Sequence, residues 1–240
     1  MFLIPYLFAT THPVLIAAAV LPAVILMLYV YRSDRLEKEP RSLLWRLVGM
    51  GILATLLALA GEWGGMRLLG GMDRSSLLYQ ILSNFLIIGL CEEGSKYLLL
   101  NRLTWRNPSF DCRYDGIVYS VFLSLGFALW ENIFYVVQYG LPTALVRALT
   151  AVPGHAAFGV FMGAWYSQAK YMEYVGNVRR CRFYRVLALL IPAGLHGVYD
   201  FIALRESDGE TATLFLGFIV VMFIAAFLTL RRMAKHDRYL

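Results

Sequence analysis

The chain has 240 residues, of which 59% are hydrophobic and only 16% are charged. A soluble domain carries about 25% charged residues, so this composition excludes a soluble globular protein and favours one that crosses a membrane several times. The net charge of +6 is concentrated in short loops between apolar stretches rather than in one patch, so we expect no nucleic-acid partner. The three cysteines follow neither a disulfide nor a metal-binding pattern.

Seven apolar stretches approach the length of about 20 residues that a bilayer requires. They lie near 14–31, 46–61, 77–100, 116–138, 143–168, 186–204 and 212–230. The sequence therefore predicts an all-α, polytopic bundle of about seven transmembrane helices, forming one integral membrane domain over 1–240. The first residues lack the basic segment of a cleaved signal peptide, and an eighth membrane segment at 1–12 stays an alternative.

Lys and Arg set the predicted orientation, because they accumulate in cytoplasmic loops. Most of the 22 fall in 32–46, 101–115, 170–185 and the tail after 230. The loops on the other side hold only Arg67, Arg74, Arg147 and Arg205. We therefore expect the N-terminus outside and the C-terminus in the cytoplasm of a bacterial plasma membrane.

Seven ionisable side chains lie inside the predicted spans, where a charged group costs about 2.5–3.5 kcal/mol on insertion. These residues are Glu92, Glu93, Lys96, Glu131, His155, His196 and Asp200. Four consecutive spans, covering about 77–204, contribute them at similar depth. Because water or a partner must neutralise such groups, we expect them to meet in one cavity.

Their spacing supports a shared site. Glu92 and Lys96 are four residues apart, and so are His196 and Asp200, so each pair lies on one helix face. His155 is followed at the same interval by Gly159, and Gly163 extends a face of small residues on which another helix can pack closely. Pro153 and Gly154 predict a local break in the helix beside the cavity.

Two chemistries suit these residues. Glu131, His155, His196 and Asp200 are suitable ligands for Zn²⁺ with a position left for water. Alternatively, paired Glu92 and Glu93 supply a general base without a metal, and His196 with Asp200 stabilises the oxyanion. In both cases a water is activated within the membrane and attacks a carbonyl.

Simpler roles exist for each residue taken singly. Glu92 with Lys96 can be a structural ion pair, and His155 an interhelical hydrogen-bond donor. Arg147 is expected to be an interfacial anchor or a lid, and Asn132 to bridge helices. For the whole protein, an ion- or proton-coupled transporter or a non-catalytic scaffold is the alternative class, with a retinal-type Schiff base on Lys96 more remote.

The motifs in these spans resemble the PrsW family of intramembrane proteases, which is related to the CAAX prenyl proteases and to bacteriocin-processing membrane enzymes. The resemblance rests on "EEGSK" (92–96), "FALWE" (127–131), "HAAFG" (155–159), "HGVYD" (196–200) and the first loop "DRLEKEP" (34–40). It extends over roughly 30–202.

The resemblance implies cleavage of membrane-anchored proteins, such as single-span anti-sigma factors cut on their extracytoplasmic side. It places the family's essential glutamates on Glu92 and Glu93 and an essential histidine on His196. Glu131 and His155 fill the remaining motif positions. The prenyl-protease relatives have a histidine where this chain has Glu131, which speaks against prenylated substrates. The motifs leave open whether a metal takes part.

Overall fold

The computed structural model describes residues 13–205 and 209–240. The alternative membrane segment at 1–12 lies outside the described residues. The helical elements follow one another in this order: α1 Pro13–Ser33, α2 Arg41–Leu68, α3 Leu77–Ile81, a π-helical segment Leu82–Gly89, α4 Leu90–Thr104, α5 Asp115–Tyr139, α6 Leu141–Leu149, α7 Ala151–Tyr174, α8 Val178–Ala203 and α9 Gly209–Lys235.

The predicted all-α bundle is confirmed. Within the described ranges, six helical segments are long and apolar enough to cross a membrane, with α6 and α7 counted together as one. The remaining predicted span, 77–100, is also helical, but it is divided by the π-helical segment and carries charged residues in α4. Charge and irregular geometry therefore coincide in one span.

Helix α5 is the centre of the bundle and packs against α1, α2 and α7. The small-residue face of α7 is confirmed: a Cβ added at Gly159 would lie 3.0 Å from the Val121 Cα, and one at Gly163 would clash with the Gly116 carbonyl. Small side chains thus let α7 lie directly on α5, so that His155 faces the interior of the bundle.

The π-helical segment lies against α8. A Cβ added at Gly89 would be 2.7 Å from the Ala193 carbonyl oxygen, and one at Gly197 would be 2.5 Å from the Phe85 ring. This close approach brings His196 of α8 beside the first turn of α4, which carries Glu92 and Glu93.

The stretch predicted as one span at 143–168 is two helices. The break lies at Thr150, whose φ of −120° and ψ of −72° separate α6 from α7. Pro153 falls in the first turn of α7, where a missing backbone N–H breaks no intrahelical bond. The predicted break is therefore present, three residues before Pro153, and Thr150 lines the cavity described below.

Loops predicted to share the cytoplasmic side do meet at one end of the bundle, here called the tail end and formed by 34–40, 105–114 and 236–240. Arg113 N donates to the Arg238 carbonyl (3.1 Å), and Leu240 N donates to the Asp111 carbonyl (2.7 Å). Cys112 and Tyr239 form an isolated antiparallel bridge. The C-terminal residues are thereby fixed to the start of α5.

Candidate active site

Glu93 and Lys96, in the first turns of α4, are fully buried. The Lys96 ammonium donates to Glu93 Oε1 (2.7 Å) and lies 3.3 Å from Glu92 Oε2. It also lies 3.9 Å from the centre of the Phe127 ring. The Lys96 ammonium thus pairs with two carboxylates, and the spacing along α4 is enough to bring it beside Glu92 and Glu93.

His155 connects this turn to α5. A lysine ammonium can only donate, so His155 Nδ1, at 3.1 Å from Lys96 Nζ, accepts. The ring proton is then on Nε2, which donates to Glu131 Oε2 (2.9 Å). Arg147 Nη2 lies 2.9 Å from the same Glu131 oxygen. Glu131 therefore orients the imidazole and is itself held by an arginine.

His196 approaches the glutamate pair from α8. Its Nδ1 lies 3.0 Å from Glu93 Oε1 and 3.8 Å from Glu92 Oε2, and its Nε2 lies 3.4 Å from Asp200 Oδ2. The Phe158 ring stacks on the imidazole with a centroid distance of 4.8 Å. Both histidines therefore have one ring nitrogen towards α4, at Lys96 for His155 and at the glutamates for His196, and the other towards a carboxylate further out.

Four buried side chains, here called the intramembrane cluster, bring possible ligand atoms within 4.8 Å of one another: Glu92, Glu93, His155 and His196. Glu93 Oε2 is buried and has no hydrogen-bond partner in the part of the chain that the structure describes. Two imidazoles and two carboxylates are a donor set that suits a divalent metal. The Lys96 ammonium lies among the same atoms, so a metal there would require it to move or to lose its proton.

A cavity of about 670 Å³ opens beside the cluster. Its wall includes Glu92, His155 and His196 of the cluster, whereas Glu93 does not reach it. The wall continues to Arg147 and Arg205, which lie at the opposite end from the tail end. The cavity therefore occupies the half of the bundle whose loops are predicted to be extracytoplasmic.

Comparison with known proteins identifies the family. The model of the "PrsW family intramembrane metalloprotease" family matches residues 39–229. The Protease PrsW of Geobacillus kaustophilus is 37% identical over 209 residues, which cover 84% of this chain and 85% of that protein. The chain belongs to the PrsW family.

Further PrsW proteins agree over most of their length. The Protease PrsW of Oceanobacillus iheyensis is 34% identical over 218 residues, covering 91% of this chain and 95% of that protein. The Protease PrsW of Bacillus subtilis is 33% identical over 194 residues, covering 81% and 84%. No solved structure matches the chain significantly. As a PrsW protein, the chain is an intramembrane peptidase with several membrane-spanning helices.

In the structure of this PrsW protein, the residues expected to bind a metal fall into two groups, one inside the intramembrane cluster and one outside it. His155 and His196 belong to the intramembrane cluster, together with the two glutamates expected to be catalytic. Glu131 and Asp200 lie outside it, on the far nitrogens of the two imidazoles. Sequence spacing could not separate these roles, because they depend on which ring nitrogen faces α4.

Three more residues have a defined place. Arg147 lines the cavity and pairs with Glu131, and Asn132 bridges helices by donating to the Ala19 carbonyl (2.8 Å) while accepting from Arg147 Nε (2.9 Å). Glu62 also lines the cavity, and sequence analysis missed it. The apolar run ends before Glu62, but α2 continues to Leu68. Because the sequence after residue 60 is rich in glycine, no local pattern indicates this extension of the helix.

Proposed function

We propose that this PrsW protease cleaves single-span membrane proteins, such as anti-sigma factors, on their extracytoplasmic side, with Glu92 as general base. The observation that carries the proposal is the position of Glu92. Its carboxylate lines the cavity and at the same time lies 3.3 Å from Lys96 and 3.8 Å from His196. A base must reach a water next to the substrate carbonyl, and Glu92 is the glutamate of the pair that the cavity exposes.

The neighbouring groups support that role. Lys96 lies within reach of both glutamates and favours their ionised forms at a depth where an unpaired carboxylate would be protonated. Glu93 holds Lys96 and His196 in position. In the proposed reaction, Glu92 takes a proton from water as the water attacks the scissile carbonyl, and it returns the proton to the leaving amine. The catalytic helices would then be those of 77–204.

The donor set fits the metal that the family's description implies. Once Lys96 has moved away from His155 or lost its proton, His155 and His196 would hold Zn²⁺ through Nδ1 together with Glu93, whose Oε2 has no hydrogen-bond partner among the described residues. Glu131 and Asp200 would fix the ring orientations, as outer carboxylates do in many zinc sites. A Zn²⁺ ion held there would act as a Lewis acid towards the scissile carbonyl. Without a metal, His196 would be the donor to the oxyanion.

The cavity supports a substrate that enters from the membrane. About 670 Å³ holds a few residues of an unwound segment, not a folded domain. Its wall combines apolar residues such as Phe134 and Phe215 with the polar groups at the site. A substrate whose transmembrane helix ends near this level would place its backbone against Glu92. The bacterial plasma membrane is the proposed location, since the PrsW relatives are bacterial proteins.

The test combines metal analysis with cleavage. Detergent-purified protein and a His196→Ala variant, both shown to be folded, are assayed for zinc by elemental analysis and for cleavage of a reconstituted single-span test protein. We expect about one zinc per chain, lost with activity in the variant. Cleavage by a metal-free preparation would replace the zinc mechanism by a glutamate-activated water. Zinc-loaded, folded protein that cuts no single-span substrate would contradict the proposed substrate class.

A further inference from the structure

The tail end carries a second concentration of acidic residues, far from the cavity. Three segments separated in sequence contribute to it: the first loop, the loop before α5 together with its first residue, and the C-terminal residues. This acidic cluster consists of Asp34, Glu37, Glu39, Asp111, Asp115 and Asp237. The protease mechanism uses none of them, although the first loop is one of the segments that resemble the family.

The acidic cluster is built into the structure rather than spread over the surface. Asp34, Glu39 and Asp115 are each at most 3% exposed. Asp115 Oδ2 accepts from the backbone N–H groups of Cys112 (2.6 Å) and Asp111 (3.1 Å). Glu39 Oε2 accepts from the Tyr119 hydroxyl (2.5 Å). These bonds fix one oxygen each of Asp115 and Glu39, and the two carboxyl groups are also close enough to share a proton.

Among the described residues, no N–H or hydroxyl group donates to the other oxygens of these carboxyl groups. Buried oxygens without a hydrogen bond occur on five residues of the cluster: Asp34 Oδ2, Glu39 Oε1, Asp111 Oδ1, Asp115 Oδ1 and Asp237 Oδ2. A buried, unpaired carboxylate is strongly unfavourable. Burial accordingly raises the pKa of Asp34 to about 6 and that of Glu39 to about 7. Near neutral pH these buried carboxyl groups are therefore partly protonated, and an arriving cation would replace those protons.

No basic side chain of the described residues forms a salt bridge with the acidic cluster. The nearby cations are engaged elsewhere. Lys38 Nζ donates to the backbone carbonyls of Tyr31 (2.6 Å) and Asp34. The Arg113 guanidinium lies over the Tyr171 ring at 3.8 Å. Protons or an external cation must therefore compensate the carboxylates.

The outer part of the cluster has the dimensions of an ion site. Oxygens of Glu37 and Asp111 and the sulfur of Cys112 lie within 4.8 Å of one another. Ligands at 2.3–2.6 Å from a Ca²⁺ ion are separated by at most about 5 Å. Glu37 is exposed and Asp111 half-buried, so an ion can arrive from solvent. Oxygen ligands predominate, which favours a hard cation over a thiophilic one.

We propose that the acidic cluster binds a divalent cation of the Mg²⁺ or Ca²⁺ type, with Glu37 and Asp111 as direct ligands and the buried carboxylates of Glu39 and Asp115 behind them. The ion would join the first loop, the start of α5 and the C-terminal residues at the predicted cytoplasmic end. It is separate from the metal of the protease site and would stabilise the tail end rather than take part in cleavage.

Tb³⁺ is the direct probe, because its luminescence is excited through nearby tyrosine rings, and the Tyr119 hydroxyl contacts Glu39. EDTA-stripped full-length protein in detergent is titrated with Tb³⁺, and the signal is then competed with Ca²⁺ or Mg²⁺ in separate arms. We expect a saturable signal that one or both displace. At a hundredfold excess over Kd, the better competitor should raise Tm by about 5–10 °C.

Three variants test which residues bind the Tb³⁺ ion that gives the luminescence signal. Glu37→Gln with Asp111→Asn should abolish it, because both direct ligands are lost. Glu92→Gln with Glu93→Gln should keep it, since that pair belongs to the intramembrane cluster, and the exposed Glu210→Gln serves as the matched control. Gel filtration and thermal unfolding establish that each variant is folded. A signal that survives loss of Glu37 and Asp111, or one that neither Ca²⁺ nor Mg²⁺ displaces, overturns the proposal and leaves shared protons as the neutralising species.

Discussion

The intramembrane cluster and the acidic cluster neutralise their charges in opposite ways. At the protease site, Lys96 serves Glu92 and Glu93, and Arg147 serves Glu131, so the chain supplies its own counter-charges. At the tail end, the acidic cluster has no salt bridge among the described residues. A site inside a bilayer must be nearly neutral before the protein inserts, whereas a site at an aqueous end can take its counter-ion from solution.

The largest expected effect tests whether the paired charges of the intramembrane cluster are needed for cleavage. Glu92→Gln removes the proposed base but keeps the side-chain volume, so cleavage should fall by about 10²–10⁴-fold. The rate is measured on a reconstituted single-span substrate. Glu173→Gln, an acid near the tail end that pairs with Lys170, is the matched control and should cleave normally. Equal rates for Glu92→Gln and the unmodified protein would show that another group is the base.

The next effect concerns stability. Lys96→Met leaves the buried Glu93 without its lysine counter-charge, with only His196 beside it, which should destabilise the fold by about 3–5 kcal/mol. Thermal unfolding in detergent measures the loss. Adding Glu93→Gln removes the carboxylate that has lost its counter-charge, so the double variant should recover most of the stability. If the double variant is no more stable than Lys96→Met, then Lys96 acts by packing rather than by charge.

A smaller effect separates ligands from the residues that orient them. Glu131→Gln and Asp200→Asn alter the carboxylates on the far nitrogens of the histidines, so zinc affinity should fall by about 10–100-fold without being abolished. Competition with a chelator of known affinity gives the value. Complete loss of zinc in either variant would move that residue into the ligand set, as spacing in the sequence first indicated.

The smallest expected effect is a gain in stability, at the tail end, in contrast to the loss expected for Lys96→Met. Glu39→Gln removes a buried carboxylate that forms no salt bridge among the described residues, so in EDTA it should stabilise the protein, by about 1 kcal/mol, or about 2–4 °C in Tm. Added Ca²⁺ or Mg²⁺ should raise the Tm of the unmodified protein more than that of the variant. A lower Tm for Glu39→Gln in EDTA would mean that this carboxyl group is already neutralised inside the protein.

The sequence predicted most of the fold because hydropathy and charge placement are local signals. Every predicted span is helical in the described residues, and the seven ionisable residues singled out inside the spans are found in or directly against the cavity and the cluster. What could not be predicted depends on packing between distant segments. The side of the His155 ring that faces α4 is set by its hydrogen bonds to Lys96 and Glu131 on two other helices, and no spacing in the sequence indicates it.

The acidic cluster at the tail end could not be predicted for the same reason, because it depends on packing between distant segments. The Lys and Arg residues of its loops indicate orientation, whereas nothing in the local sequence marks its acidic residues as buried. Only folding brings Asp34, Glu39 and Asp115 together, since long stretches of chain separate the first loop from the start of α5 and from the C-terminal residues. The burial of Asp115 depends on this tertiary arrangement and not on its neighbours in sequence.

The π-helical segment Leu82–Gly89 has a consequence for how this site tolerates insertions and deletions. A π-helical turn accommodates one residue more than an α-helical turn. Deleting a single residue there would let the segment become α-helical with both halves of the span in their present orientation. If the segment became α-helical without losing a residue, the preceding half of the span would turn by about 100° relative to α4. Glu92 and Lys96 would keep their mutual geometry, while Phe85 would leave its place against Gly197. The segment therefore sets the rotation of the turn that carries Glu92 relative to the rest of its helix.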